Sequence, residues 1–199
     1  MTAMDKEYAQ YLETLCKEND IMLIVDEVQT GIGRTGTFLC CEQYHILPNI
    51  ITLAKGLGAG LPIGAILMDE TAGEIFQPGQ HGSTFGGNPV VCAGGIEVLK
   101  QVCNEAFLSS VSTKAVYLKE QLLALPGVAD VSGLGLMIGV TVVEGLDARQ
   151  IASRCAESGL LILTAKSKLR IMPPLNITME EIDRGIDVLR KCLSEQAHL

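Results

Sequence analysis

Two hydrophobic periods alternate in the first part of the chain. In DKEYAQYLETLCKE, residues 5–18, Tyr8, Leu12, Leu15 and Cys16 fall at helical spacing, which predicts an amphipathic helix with Asp5 near its start. IMLIVDE, NIITLAK (49–55) and PIGAILM (62–68) are short unbroken apolar runs, the pattern of strands buried on both faces. A helix alternating with such strands predicts an α/β fold with a mostly parallel sheet. In sheets of that kind ligands gather at the carboxyl ends of the strands, where Asp26 and Lys55 would both lie.

The pattern changes after the loop QPGQHGSTFGGNP, residues 77–89. From Pro89, VVCAGGIEVLKQVCNEA and FLSSVSTKAVYLKEQLLAL read as two helices, with Pro126-Gly127 closing the second. VADVSG, LMIGVTVV, LLILT and KLRIMP read as strands, with helices at DARQIASRCAESG and TMEEIDRGIDVLRKCLSEQ. This mixed order predicts a small α+β unit over residues 90–199 that includes the connecting helix, after a first unit over residues 1–89. No internal repeat and no low-complexity segment interrupts either.

Composition narrows the function classes. With 199 residues, 48% hydrophobic and a net charge of −8, the chain has enough apolar material for a core and should be a soluble globular protein. The acidic balance argues against nucleic-acid binding, since the best basic grouping is only Lys166, Lys168 and Arg170. No apolar run approaches membrane-spanning length and MTAMDKEYAQ does not resemble a signal peptide, so no membrane association and a cytoplasmic location are expected. Seven cysteines without a C-x-x-C pair fit a reduced compartment, and His45, His81 and His198 offer no metal-ligand spacing.

The stretch IVDEVQTGIGRTG contains a literal GxGxxG at Gly31, Gly33 and Gly36. A dinucleotide fingerprint needs its first glycine directly after the strand and an acid roughly 20 residues further on. Asp26 to Thr30 separate Val25 from Gly31, and no Asp or Glu occurs between Glu42 and Asp69, so the dinucleotide reading fails. What remains is an acid ending one strand and a lysine ending another, each followed by a glycine-rich loop. Asp26 also fits a strand-end residue that caps a turn. Lys55 is harder to explain structurally, because it stands alone among the charged residues of an apolar stretch. A desolvated amine has a lowered pKa and makes a Schiff-base nucleophile. An aldehyde cofactor such as pyridoxal phosphate (PLP) would join the two: it needs a lysine for its imine and an acid to keep its ring nitrogen protonated.

The segments DEVQTGIGRTG, TLAKGLGAGLPIGA, HGSTFGGNPV and LRIMPPLNIT, in this order, resemble the class III (fold type I) PLP-dependent aminotransferases, nearest the branch that uses N-acetylornithine. The likeness runs from about Asp5 to the end of the chain. It implies a fold type I large domain, present in part, followed by a small carboxyl-terminal domain. It also implies PLP as cofactor, a small-molecule amino donor with 2-oxoglutarate as acceptor, arginine biosynthesis, and a homodimer. By the same resemblance Lys55 would form the cofactor imine and move the substrate proton. Asp26 would pair with the ring nitrogen, Val28 would pack on the ring, and Gln29 would approach its phenolic oxygen. Thr84 would donate to the phosphate and Ser83 would lie near the substrate, both reaching a neighbouring subunit's site. Arg170 would hold the substrate α-carboxylate, as suits a planar fork.

The chain begins where that family's chains are about half finished. The phosphate loop, the aromatic residue stacked on the ring, a second substrate arginine and a glutamate gating Arg170 have no counterpart here. A shortened sheet would expose edges and apolar faces, so self-association or pairing with a complementing amino-terminal half is expected. Ornithine, succinylornithine and 4-aminobutyrate remain open as amino donors. A non-catalytic oligomerisation module built on residues 90–199 is the alternative from another class.

Overall fold

The computed structural model describes residues 1–75 and 77–196; His198 lies outside them. The chain divides into two compact units, Met4–Leu108 and Ser109–Leu199, the second also taking in Met1–Ala3. Among the described residues no helix is long and apolar enough to cross a membrane.

The first unit opens with α1, Lys6–Glu18, capped by Asp5, whose carboxylate accepts from the Tyr8 amide at 3.0 Å. Its buried contact is Ala9, which clusters with Cys41 and Ile46, whereas Tyr8 and Leu15 of the expected apolar stripe are exposed. β1 (Ile24–Asp26) leads through α2 (Cys41–Tyr44) to β2 (Ile50–Leu53), which pairs with β1 in parallel, Asp26 opposite Thr52. After a 3₁₀ turn, Lys55–Gly58, the chain returns as β3 (Ala65–Met68), antiparallel to β2.

The three strands lie in the order β1-β2-β3, one pairing parallel and one antiparallel. The expected mostly parallel sheet is therefore corrected to a mixed one. A parallel return needs a crossover of a dozen or more residues, usually a helix. Residues 54–64 are too short and too rich in glycine to supply it. Nor are the strands buried on both faces: Ile24, Ile66, Leu67 and Met68 are exposed. α3 (Glu70–Gly73) follows β3 directly, and α4 (Pro89–Val102) is capped by Asn88 with Pro89 in its first turn. Although the sequence groups α4 with residues 90–199, the first unit runs on through Leu108, and α4 packs on the 3₁₀ turn. There Val102 closes a core with Ile32, Leu53 and Leu57, beneath both glycine-rich loops.

The second unit takes up most of α5 (Glu105–Leu123) and continues with the hairpin β4 (Val128–Leu134) and β5 (Met137–Val142). At Gly133, with φ of 113°, an added Cβ would lie 2.1 Å from the Met137 carbonyl, so only glycine fits. α6 (Ala148–Glu157) then leads to the hairpin β6 (Leu163–Ala165) and β7 (Lys168–Ile171), and the chain closes with α7 (Met179–Gln196) packed on α6. The sheet order is β4-β5-β7-β6, antiparallel throughout. Leu122, Leu136, Ile138, Ile151, Leu169 and Leu189 form a fully buried core, so the expected α+β character holds here.

Candidate active site

Parallel pairing brings the carboxyl ends of β1 and β2 side by side. Asp26 ends β1 opposite Thr52, and Lys55 stands three residues beyond Thr52 in the 3₁₀ turn. One oxygen of Asp26, Oδ1, accepts from the Val28 amide and from the Thr52 hydroxyl, each at 2.9 Å. These two bonds, the backbone one first, hold the carboxyl below its ordinary pKa against slight desolvation, and the nearby Lys55 charge adds to the lowering. Asp26 thus favours its charged form while remaining exposed.

Lys55 departs from expectation. It is exposed, not desolvated, because it lies past the last ladder pair of β2 and β3, Leu53 with Ala65, on an open turn. The apolar stretch around it has another cause: Leu53 and Leu57 on either side are buried in the core beneath. Its backbone is left-handed, with φ of 45°, a conformation that costs a side-chain-bearing residue roughly 1 kcal/mol.

Val28 is half-buried and Gln29 exposed, both in the turn that leaves β1, so Asp26, Val28, Gln29 and Lys55 cluster around these strand ends. Ser83 and Thr84 lie on the exposed loop before α4, where the Ser83 hydroxyl accepts from the Gly86 amide at 2.9 Å. Ser83 also lines a shallow surface cavity with Pro62, Ile63, His81, Phe85 and Asn88. Arg170 belongs to the second unit, half-buried on β7 opposite Gly139 of β5 and Leu163 of β6.

A residue without an assigned role in the sequence reading stands at the centre of the turn. Glu27 is 1% exposed, with Oε1 accepting from the Cys41 amide at 2.7 Å and Oε2 from the Thr30 hydroxyl. Its amide donates to the Thr52 carbonyl at 3.0 Å and its carbonyl accepts from the Gly31 amide at 2.9 Å. Burial and the Glu27 charge push the Cys41 thiol up to about 12. The available signal was an acid wedged between a strand and a glycine turn, where exposure would be the default.

A carboxylate held in its charged form beside a lysine, at the open carboxyl ends of parallel strands, is a donor set that fits an aldehyde cofactor with a basic ring nitrogen. The comparisons agree with that chemistry. The family described as aminotransferase class-III matches residues 1–193, and the chain belongs to it. Members of this family are PLP-dependent aminotransferases.

Within the family, the chain is 48% identical over 193 residues to an acetylornithine aminotransferase of Haemophilus ducreyi, covering 97% of this chain and 49% of that protein. It is 47% identical over 189 residues to the acetylornithine aminotransferase of Aquifex aeolicus, covering 94% and 49%. Among solved structures, the ornithine δ-aminotransferase of Plasmodium falciparum matches with a TM-score of 0.87 at 34% identity, covering 98% of this chain and 53% of that one. The N-acetylornithine aminotransferase of Stenotrophomonas maltophilia matches with a TM-score of 0.85 at 31% identity, covering 96% and 51%. The chain therefore spans about half the length of the relatives it matches.

Proposed function

We propose that this chain contributes the lysine and aspartate of a PLP-dependent transaminase that moves the amino group of N-acetylornithine to 2-oxoglutarate, in arginine biosynthesis. The reading places it in the cytoplasm, as a homodimer or joined to a complementing amino-terminal half. The observation that carries it is the placement of Asp26 at the end of β1 and of Lys55 in the turn just beyond the adjacent, parallel β2, with the Asp26 carboxyl held charged by Val28, Thr52 and Lys55.

When bound, PLP supplies an aldehyde that takes up the amino group and a protonated ring that draws electron density from the substrate Cα–H bond. Asp26 would keep the proton on the ring nitrogen, because its own carboxyl resists protonation. Lys55 Nζ would bind the cofactor aldehyde covalently and, once freed, would take the proton from the substrate Cα. Val28 and Gln29 would orient the ring and Arg170 would hold the substrate α-carboxylate through its planar fork, while Thr84 would donate to the phosphate and Ser83 would lie near the substrate of a neighbouring subunit's site.

The relatives named acetylornithine aminotransferase favour N-acetylornithine as donor. Likeness to the Plasmodium falciparum ornithine δ-aminotransferase supports ornithine as a second reading. The test is incubation of the purified chain with PLP, borohydride reduction and peptide mapping, followed by glutamate production from N-acetylornithine and from ornithine. One dominant pyridoxyl adduct on Lys55, lost in Lys55→Ala, is the expected result. Equal labelling of surface lysines, or none, would overturn the reading.

A further inference from the structure

We infer that Glu27 is a positioning residue for Asp26: its buried carboxylate pins the turn that brings the Val28 amide onto the Asp26 oxygen. The inference rests on Asp26 being the cofactor's acidic partner, and it concerns what keeps Asp26 aimed and charged.

Glu27 lies between the two residues whose mutual geometry matters. The Val28 N–H reaches Asp26 Oδ1 only if the backbone bends sharply at residue 27. Four hydrogen bonds fix that bend. The Glu27 amide ties it to the Thr52 carbonyl on β2, and the Glu27 carbonyl takes the Gly31 amide and closes the turn. An added Cβ at Gly31 would stand 2.9 Å from that carbonyl, so the closure requires glycine. The side chain adds the other two, to the first amide of α2 and to the Thr30 hydroxyl. At 1% exposure, neither of those bonds competes with bulk water.

The groups facing Asp26 are the Thr52 hydroxyl and the Lys55 charge from the β2 side and the Val28 amide from the turn. Those facing the Glu27 carboxylate are the Thr30 hydroxyl, the Cys41 amide, and the Cys40, Cys41 and Tyr44 side chains. Their three titratable groups are all pushed upward, chiefly by burial. Removing the Glu27 carboxylate frees the turn while leaving Thr52 and Lys55 in place. Asp26 would then lose one of its two hydrogen bonds, the larger contributor to its lowered pKa.

The test is carboxyl titration of Asp26 by ¹³C NMR on the full chain without cofactor, so its outcome is independent of whether the chain transaminates. In Glu27→Ala the Asp26 pKa should rise toward the ordinary aspartate range, and the Val28 amide shift should stop following it. Thr30→Val, which keeps packing and removes one donor, should move Asp26 in the same direction by less. Glu27→Gln keeps an acceptor for the Cys41 amide and should stay near the parent. Ala72→Gly serves as a control: it weakens α3 without touching the turn and should leave Asp26 unmoved. If Glu27→Ala fails to fold, Thr30→Val decides. An Asp26 titration unchanged in Thr30→Val, and in any folded Glu27→Ala, would overturn the inference.

Discussion

Leu169 offers the sharpest test of how the second unit is held together. It sits on β7, fully buried, opposite Val140 of β5, which is buried equally, and it directly precedes Arg170. Cutting it to alanine removes three carbons from water-free surroundings, worth roughly 2.4 kcal/mol at about 0.8 kcal/mol per buried methylene. Neighbours on a paired strand collapse poorly into the void, and the cavity left behind takes the total to about 3–4 kcal/mol. A domain has only about 5–15 kcal/mol of stability to lose, so the change is large. Urea unfolding followed by circular dichroism should show the midpoint falling by about 1–4 M, given slopes of about 1–3 kcal/mol per M. Leu161→Ala is the comparison: at 87% exposure it should shift stability by no more than about 0.5 kcal/mol. A loss below about 1 kcal/mol at Leu169, or equal losses at both leucines, would refute the packing described.

Acid should weaken the first unit through carboxylates held low by hydrogen bonds, Asp26 and Asp69 together with Glu13. Asp26, bonded by Val28 and Thr52, and Asp69, bonded by the Ala72 amide and Asn49, both sit below the ordinary 3.8 when folded. The unfolded chain therefore binds more protons in that range, and their contribution is complete above 3.8 and lost as pH falls through the folded values. Urea midpoints measured against pH should show this fall, and Asp26→Asn with Asp69→Asn should flatten it; an unaltered profile would count against both bonds. Thiol reactivity gives an independent check on burial. With Ellman's reagent near pH 8, exposed Cys103 should react first. Buried Cys40, Cys41, Cys155 and Cys192 should react only on unfolding, since burial pushes Cys41 and Cys155 up to about 12. Fast labelling of all seven cysteines in the folded chain would contradict the buried cluster.

Local signals in the sequence were reliable where the chain's own neighbours decide the outcome. Asp5 caps α1, Asn88 and Pro89 start α4, and the strand ending at Asp26 ends there. What failed depended on partners distant in sequence. The apolar run PIGAILM pairs antiparallel because of the length of the connection before it, which the run itself does not encode. Its Ile66 and Met68 are exposed because composition marks a residue as suited to burial without saying what covers it. The apolar setting of Lys55 has another cause than desolvation: Leu53 and Leu57 serve the core, and the lysine between them is exposed. The burial of Glu27 is not legible in the sequence, because a buried acid is identified only by its donors, and Cys41 lies fourteen positions away.

Under the role proposed for Lys55, its left-handed backbone would set stability and chemistry against each other at a single codon. Glycine suits φ of 45° without strain, so Lys55→Gly should make the turn easier to fold while removing the amine. A population of variants selected for folding alone would drift away from lysine here, and one selected for amine transfer would hold it. Position 55 would therefore be free to lose its lysine in any lineage that kept this fold and abandoned that chemistry.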